Sequence, residues 1–313
     1  MRAYLVILLL LLLAAAGGAF GQAAGEGQVS GVVAFAQDDL SNDWRQAQVD
    51  AVRQVLAHYP GVDFRVTDAR GDAAVQALHI ERLARQGADV VITSPADAAL
   101  VGPVIRQVRA QGTPVLLLTR QAKGARADSF VHPNDRRITR RLARFLFDRL
   151  DHRGRILMLQ GVPTATPTQH RTRTFRELAG QHAGISITTR TANFLRGDAI
   201  KAVDRILRTH DGAFPFDAIY AQSDSMAVGA RIALRRAGID PAGLVIAGID
   251  YIQAARRAIG AGEQDVSFTY PTGGAEGARL AIRLLRGQDI PDEIRLQSQR
   301  VTAANVDTVA PIF

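Results

Sequence analysis

Short apolar runs alternate with amphipathic stretches along most of the chain. Seven runs have the length and composition of strands buried on both faces of a parallel sheet. They lie at residues 31–35, 90–92, 115–118, 156–159, 218–220, 244–247 and 266–270. Between them, apolar residues recur at helical spacing, for example in segments 52–59, 138–146 and 200–207. This alternation predicts an α/β fold built from doubly wound parallel sheets.

The strand–helix units are too numerous for one small sheet, so we expect two lobes. A turn-rich stretch from His132 to Asp135 marks the expected first boundary, and no long Pro/Ser/Gly linker occurs. Lobes without such a linker must lie against each other on short hinges. Because ligands of open α/β sheets bind beyond the carboxyl ends of the strands, two facing lobes would share one cleft.

The first 23 residues have the order of a secretory signal peptide. Arg2 gives a positive start, residues 4–16 are an almost pure Leu/Ala run, and small residues follow. The apolar run is shorter than the roughly 20 residues of a membrane-spanning helix. We therefore expect cleavage after Gly21 or Ala23 and export to the periplasm, with an uncleaved anchor as the alternative.

Composition narrows the partners. The chain has no cysteine, which excludes disulfides, thiolate metal sites and a lipid-modified N-terminal cysteine. The formal net charge of +8 would ordinarily suggest nucleic acid. However, the arginines that carry it are scattered along every predicted helix, which favours a solvated arginine-rich surface and no nucleic-acid partner.

Catalytic and cofactor motifs are missing from the sequence. The glycine-rich segment 273–277 lacks GxGxxG spacing, and no GxxxxGK[ST], GxSxG or HExxH sequence occurs. The segment from Ser223 to Met226 has no adjacent base and suits a helix start. We expect a protein that is not an enzyme and that uses no cofactor or metal.

Seven segments, in order and at matching spacing, resemble sugar-binding proteins of the ribose/galactofuranose class that serve ABC transporters. They are FAQ at 35–37 with DWR at 43–45, TSPAD at 93–97, LTRQ at 118–121, LQG at 159–161 with Arg171 and Phe175, NF at 193–194, YAQSDSMAVG at 220–229 and AGID at 247–250. Each motif alone is weakly specific, but the seven together cover essentially all of the chain after the signal peptide.

The resemblance implies a type I periplasmic binding protein fold, in which the chain crosses between two α/β lobes three times. Carried over, the crossings fall near residues 133–134, 270–271 and 297–298. Lobe 1 would comprise residues 29–133 plus 271–297, and lobe 2 residues 134–270 plus 298–313. Such a protein closes by a hinge motion around its ligand.

The resemblance also implies a function: capture of a sugar or sugar-like ligand by a monomeric protein that delivers it to an ABC permease. A periplasmic sensor that docks on a membrane sensor kinase or chemoreceptor is the alternative, and the sequence does not separate the two. A transcriptional repressor with this effector fold is excluded, because the signal peptide stands where its DNA-binding helices would be.

Eleven side chains at the matching positions could recognise hydroxyls and C–H faces of a sugar. They are Arg45, Arg120 and Arg171 as donors, Asp250 as acceptor, Asn42 and Ser223 as short polar groups, Trp44 and Phe194 as aromatic platforms, and Gln37, Asp38 and Tyr270 as further candidates. Each also has a structural interpretation: core packing for the aromatic residues, salt bridges for the arginines, and helix capping for the aspartate and the serine.

Two positions depart from the family pattern. Thr119 stands where an acidic residue is usual, and Ser223 stands where asparagine is usual. Three arginines predicted as donors would then face one carboxylate predicted as the acceptor, Asp250. We therefore expect a ligand with an acidic or phosphate group, or an atypical polyol, and the sequence leaves the identity of the sugar open.

Overall fold

The computed structural model describes residues 29–313; the predicted signal peptide, residues 1–23, lies outside this part. The strands are β1 (Ser30–Gln37), β2 (Gly61–Asp68), β3 (Val90–Thr93), β4 (Val115–Leu118), β5 (Ser129–Pro133), β6 (Gly154–Gln160), β7 (Ile185–Thr191), β8 (Ala218–Ala221), β9 (Val245–Ala247), β10 (Ser267–Phe268), β11 (Glu293–Leu296) and β12 (Arg300–Val301). The helices are α1 (Asp43–Leu56), α2 (Ala73–Arg85), α3 (Ala98–Ala110), α4 (Asp135–Arg149), α5 (Thr166–Ala179), α6 (Arg196–Thr209), α7 (Asp224–Arg236), α8 (Gln253–Gly260) and α9 (Gly274–Leu285). None of the helices between residues 29 and 313 is both long and apolar enough to cross a bilayer.

Two parallel sheets organise the chain. Six strands form the first sheet in the order β11-β5-β4-β3-β1-β2, and four form the second in the order β7-β6-β8-β9. Every neighbouring pair in both sheets is parallel. A short antiparallel pair, β10 with β12, lies beside the second sheet, and isolated bridges link residue pairs Ala247–Val266 and Asp250–Thr269. The predicted α/β class with doubly wound parallel sheets is confirmed.

Each sheet is covered on both faces by helices, which explains the continuous apolar runs of its strands. In the first sheet, Phe35 packs toward α1 and α9, whereas its neighbour Ala34 packs toward α2 and α3. In the second sheet, Met158 packs toward α4 and α5, and its neighbour Leu157 toward α6 and α7. The alternation of side chains along a strand therefore feeds two cores per sheet.

Short polar side chains fix the start of five helices, because each accepts a hydrogen bond from an otherwise unpaired backbone N–H of the first turn. They are Asn42 for α1, Asp72 for α2, Asp97 for α3, Asn134 for α4 and Ser223 for α7. Most of these caps directly follow a parallel strand. The loops that end in a cap therefore gather at the carboxyl edge of each sheet.

The chain passes from the first sheet to the second after β5. It returns at α9, which packs against α1 and the core of the first sheet, and β11 then pairs with β5. The last strand, β12, pairs with β10 next to the second sheet. We propose that lobe 1 comprises residues 29–133 plus 271–297 and that lobe 2 comprises residues 134–270 plus 298–313.

Candidate functional site

A cavity of about 350 Å³ lies between the carboxyl edges of the two sheets. Ten of the eleven side chains predicted for the site line it: Asp38, Asn42, Trp44, Arg45, Arg120, Arg171, Phe194, Ser223, Asp250 and Tyr270. Gln37 is the exception, since it is fully buried at the end of β1 and its Nε2 donates to Gln48 Oε1 at 3.1 Å. The structure thus brings residues from seven separate loops or helices into one cleft. Their contact with a ligand remains a prediction.

Asp38 joins two of the arginines on the lobe 1 side. Its Oδ1 lies 3.1 Å from Nε of Arg45 and its Oδ2 lies 2.6 Å from Nη1 of Arg120. All three side chains are buried. Burial, together with the nearby Arg120 guanidinium, lowers the pKa of Arg45 to about 10. Arg45 therefore remains charged at neutral pH, and one carboxylate stands between the two guanidinium groups.

Arg171, in the middle of α5, has a carboxylate partner that the sequence did not single out. Its Nε donates to Asp135 Oδ1 at 2.7 Å, and Tyr270 Oη donates to Asp135 Oδ2 at 3.2 Å. Burial alone would lower the pKa of Arg171, but Asp135, together with Tyr270, Asp250 and Tyr220, outweighs it and the pKa is raised. Asp135 follows the cap of α4, and in the sequence it was indistinguishable from any turn aspartate.

Three aromatic rings form apolar surface in the cavity. Trp44 and Tyr270 have ring centroids 5.8 Å apart, and Trp44 Nε1 donates to the carbonyl of Tyr270 at 3.1 Å. Phe194 adopts a positive φ of 63°, and its ring lies directly against the backbone of Gly161, where a Cβ would come within 2.0 Å of Cζ. Glycine at position 161 therefore sets the depth of the Phe194 ring.

Asp250 differs from the other carboxylates of the site. It is 6% exposed, and no group among residues 29–313 donates a hydrogen bond to its side chain. Burial raises the pKa of Asp250 well above its ordinary value, although Arg171 opposes this. It does not cap α8, whose cap is Ile252 without a side-chain hydrogen bond. The capping alternative is thus wrong for Asp250, and its oxygens are acceptors turned to the cavity.

Two of the short polar groups combine capping with a place in the cavity wall. Ser223 Oγ accepts from the backbone N–H of Met226 at 3.3 Å. Asn42 Oδ1 accepts from the N–H of Arg45 at 3.1 Å, while Asn42 Nδ2 donates to the carbonyl of Phe194 at 2.8 Å. Capping therefore fixes the orientation of both side chains at the cleft.

The predicted count of three arginines facing one carboxylate is incomplete. Arg45 and Arg120 share the carboxylate of Asp38, and Arg171 pairs with Asp135. Together with Asp250, three buried carboxylates therefore face the three arginines. Asp135 was not among the predicted site residues. The charge count no longer favours an acidic or phosphate-bearing ligand.

Several lining residues were not predicted at all. They are Asp39, Arg70, Gly71, Ala96, Val162, Pro167, Asn193 and Leu195. Asp39, Asn193 and Leu195 lie in the same strand-to-helix loops as predicted residues, and Arg70, Gly71, Ala96 and Val162 lie in other strand-to-helix loops. Proximity to a motif at the carboxyl end of a strand was the signal that could have found them.

Comparison with known proteins decides the family. The model of the periplasmic binding protein domain matches residues 33–289. The chain belongs to the periplasmic binding protein family. Members of this family are solute-binding proteins and not enzymes, and the matched relatives are named as binding proteins.

Individual relatives bind sugars and polyols according to their names. The ribose import binding protein of Bacillus subtilis (strain 168) is 27% identical over 190 residues, which is 61% of this chain and 60% of that protein. The Caulobacter myo-inositol binding protein, solved with myo-inositol, is 26% identical with a TM-score of 0.83, over 92% of this chain and 97% of that one. The fructose-binding periplasmic domain of a hybrid two-component system is 25% identical with a TM-score of 0.80, over 88% and 91%.

The two lobes of this periplasmic binding protein touch across the mouth of the cleft. Asp43 accepts a hydrogen bond from Ser225 Oγ at 2.8 Å and pairs with Arg196 Nη2 at 3.1 Å. Further along the rim, Thr164 Oγ1 donates to the carbonyl of Ala96 at 2.8 Å. These contacts join α1 and its neighbouring loops to the starts of α5, α6 and α7. The cleft is therefore shown closed.

Proposed function

We propose that this periplasmic binding protein captures a neutral, hydroxyl-rich solute, a sugar or a cyclic polyol, between its two lobes. The observation that carries the proposal is the charge arrangement of the cavity. Arg45 and Arg120 share the buried carboxylate of Asp38 and Arg171 pairs with Asp135, while Asp250 is a third buried carboxylate that makes no hydrogen bond within residues 29–313. A neutral ligand adds no charge to this balance.

The remaining chemistry suits vicinal hydroxyl groups. A guanidinium presents donors in a fixed fork and a carboxylate can accept from two neighbouring hydroxyls, so both types recognise such pairs. Leaving a buried hydroxyl without a partner costs about 1–3 kcal/mol, which makes an apolar cavity unsuitable and this one suitable. Trp44, Phe194 and Tyr270 supply flat apolar surface for the C–H faces.

The cavity size and the relatives support the same ligand class. A volume of about 350 Å³ is at the lower end of small-molecule sites, as expected for a single ring. The Caulobacter relative is a myo-inositol binding protein, and the Bacillus subtilis relative is a ribose import binding protein. We therefore propose a monosaccharide or inositol-like ring as the ligand.

We propose that binding drives closure and that the closed monomer then docks on an ABC permease in the inner membrane. Residues 1–23 would direct the chain to the periplasm and be removed there. The protein would act without catalysis, cofactor or metal. The eleven predicted residues, with Gln37 behind the cavity wall, would form and support the binding site.

A sensory role is the second candidate, because one structural relative is the fructose-binding domain of a two-component system. The ligand site would be the same, but the closed form would dock on a receptor. The roles separate when the purified closed protein is added to its permease and ATPase in proteoliposomes. Stimulated ATP hydrolysis supports import, whereas its absence together with stimulated receptor autophosphorylation supports sensing.

Thermal-shift and calorimetric titrations test the ligand class. The panel contains myo-inositol, ribose, xylitol and fructose as neutral compounds, with glucuronate and ribose 5-phosphate as acidic ones. We expect at least one neutral compound to raise the melting temperature and to bind with a Kd in the micromolar range or below, about −8 kcal/mol. Stabilisation only by the acidic compounds would contradict the proposal.

A matched pair of variants ties the binding to the cleft. Asp250→Asn should weaken the best ligand strongly, whereas Asp50→Asn, on the exposed face of α1 and paired with Arg53, should leave its Kd unchanged. Equal effects of the two variants would show that the ligand binds elsewhere.

A further inference from the structure

Asp224 is a buried carboxylate close to the cavity but outside its lining. It is the first residue of α7 and is fully buried. Its Oδ2 accepts from the backbone N–H of Tyr251 at 2.6 Å and from Ser267 Oγ, and its Oδ1 accepts from Gln264 Nε2 at 2.7 Å. A ligand in the cavity would not touch this group, so ligand binding does not directly explain it.

The backbone that Asp224 holds is strained. Asp250 has a φ of 119° and Tyr251 a φ of 54°, two successive non-glycine residues in the left-handed half of conformational space. Such residues cost on the order of 1–3 kcal/mol each and persist only where their surroundings hold them in place. The turn at residues 250–251 therefore requires anchors.

Anchors are present on both sides of Tyr251. Its carbonyl accepts from the N–H of Ile312, and its hydroxyl donates to the carbonyl of Val306 at 2.9 Å. The N–H of Tyr251, which follows the Asp250 carbonyl directly, is held by Asp224 and, at 3.1 Å, by Ser267 Oγ. The Asp224 carboxylate and the Ser267 hydroxyl thus share the peptide that follows Asp250, whose own N–H donates to the carbonyl of Phe268. Because Ser267 Oγ also donates to Asp224 Oδ2, the carboxylate fixes both groups.

Gly248 shows how closely the carboxylate is fitted to this segment. A Cβ at position 248 would lie 1.9 Å from Asp224 Oδ1 and 2.9 Å from Gln264 Nε2. A glycine is therefore needed for the carboxylate to reach Tyr251. The glycine of the AGID segment and the aspartate of the YAQSDSMAVG segment thus serve one local arrangement.

The charge environment indicates that the buried carboxylate of Asp224 lowers the stability of the folded protein. Its Gln264 partner in turn accepts a hydrogen bond from Arg231, but no cationic side chain between residues 29 and 313 forms a salt bridge with the carboxylate. Burial raises the pKa of Asp224 to about 6, against the hydrogen bonds from Ser267, Gln264 and Tyr251. A buried carboxylate without a paired cation generally lowers stability compared with an apolar side chain of similar size. Its retention is understandable if the turn it holds has a function.

We propose that Asp224 is a positioning residue for ligand binding: through the Tyr251 N–H it locks the 250–251 turn and aims the Asp250 carboxylate into the cavity. The proposal rests on the proposed function to the extent that Asp250 accepts from the ligand. It predicts that Asp224 affects affinity only through Asp250. A residue that merely supports the fold would instead weaken binding in proportion to the loss of stability, whatever stands at position 250.

A ligand titration with a matched control tests this difference. Asp224→Ala should weaken the best compound of the neutral panel by about 30-fold, and Asp224→Asn, which keeps one acceptor, by less. Gln264→Ala removes a partner on the opposite oxygen and leaves the Tyr251 contact, so its Kd should change by no more than about threefold. If Asp224→Ala and Gln264→Ala have the same melting temperature and lose ligand affinity by the same factor, the proposal is overturned.

A double-mutant cycle makes the test sharper. In the Asp250→Asn background, Asp224→Ala should cost no more than about threefold in further affinity, because the group it positions is already altered. If Asp224→Ala costs the same factor in both backgrounds, Asp224 does not act through Asp250 and the proposal fails.

Hydrogen exchange tests the turn without any ligand. The Tyr251 amide should exchange at least about tenfold faster in Asp224→Ala than in Gln264→Ala, while amides in the centre of β6 are equally protected in both variants. Unchanged protection of Tyr251 would overturn the positioning role. If the wild-type protein bound none of the neutral compounds, the proposed function would fail. The exchange result would still show whether Asp224 holds the Tyr251 amide in the turn.

Discussion

Asp38 and Arg120 form an ion pair of 2.6 Å although 82 positions separate them in the chain. Asp38 follows β1 and Arg120 follows β4, and both side chains are almost completely shielded from solvent. The same carboxylate also lies 3.1 Å from Nε of Arg45. One carboxylate therefore pairs with two buried guanidinium groups, and no other carboxylate among residues 29–313 forms a salt bridge with either of them.

Replacing Asp38 should be costly for this reason. Asp38→Asn leaves two buried arginines without an anion, which typically lowers the free energy of unfolding by about 3–5 kcal/mol. Urea unfolding measures this loss. Ligand selectivity should change as well: the positive cleft of the variant should gain affinity for glucuronate relative to a neutral sugar.

The Arg126–Asp292 pair provides the control, since its N–O distance is also 2.6 Å but both side chains are about three-quarters exposed. Asp292→Asn should change the free energy of unfolding by less than about 1 kcal/mol. A similar loss in the two variants would mean that burial does not set the value of the Asp38 pair.

The resemblance to family motifs allowed most of the cavity lining to be predicted, because these motifs lie at the carboxyl ends of buried strands. Arg120, Phe194 and Asp250 lie in such loops and Arg45 lies in the first turn of α1, and parallel strands bring their carboxyl ends to one edge. Pairing between loops was not predictable in the same way. Whether Asp135 faces Arg171 or solvent depends on the rotation of α4 against α5, which no local pattern encodes.

The strands of the fold were also only partly predictable from the local sequence pattern. The seven predicted apolar runs coincide with strands, but β2, β5, β7, β11 and β12 were absent from the prediction. Of these, β2, β7 and β11 lie at an edge of their sheet and are only partly buried, with sequences such as ISITTRT in β7. The inner strand β5 was missed because its sequence, SFVHP, ends in the stretch that was interpreted as a turn. An edge strand needs fewer apolar residues, so its sequence differs little from that of a loop.

Trp44 should report ligand binding directly. It is the single tryptophan of the chain, it lines the cavity and its Nε1 donates to the carbonyl of Tyr270. Opening of the lobes would expose the indole, so we expect a ligand-dependent change in the intensity or wavelength of its emission. Trp44→Phe should abolish the signal and weaken affinity severalfold in calorimetry. A saturable calorimetric signal with no change in emission would place the ligand away from Trp44.

Asp250 should make stability depend on pH in a defined direction. Because burial raises the pKa of Asp250 in the folded state, the folded protein binds this proton more tightly than the unfolded chain, whose value is about 3.9. As the pH rises from about 4 through the raised pKa, the wild-type protein therefore loses stability through this group. The Asp250→Asn variant does not lose stability in this way, because asparagine does not titrate.

The measurement is a series of urea unfolding curves without ligand between pH 4 and pH 8. The free energy of unfolding of Asp250→Asn minus that of the wild type should increase with pH and then level off, by about 1.4 kcal/mol per unit of pKa shift. Subtraction cancels the titration of the groups that do not interact with Asp250, whereas its neighbour Asp224 also titrates in this range. A difference that stays constant over the range would contradict a desolvated carboxylate at position 250.

The contacts of Asp43 across the cleft should tune affinity without touching the ligand. Asp43 receives a hydrogen bond from Ser225 and pairs with Arg196, so it stabilises the closed form over the open one. Asp43→Ala should therefore raise the Kd by about two- to fivefold, since a partly exposed ion pair contributes no more than about 1 kcal/mol to the stability of the closed form. Small-angle scattering of the ligand-free variant should show a larger radius of gyration than that of the wild type.

Asp50→Ala is the appropriate control for Asp43→Ala. Asp50 lies on the same helix and also pairs with an arginine, Arg53, but that pair lies within α1 and is present whether the cleft is open or closed. Its removal should leave both the Kd and the radius of gyration unchanged. A weaker Kd for Asp43→Ala with an unaltered radius of gyration would argue for an effect on the ligand site itself. An equal loss for both variants would assign the effect to α1, because only a contact that differs between the two forms can shift their equilibrium.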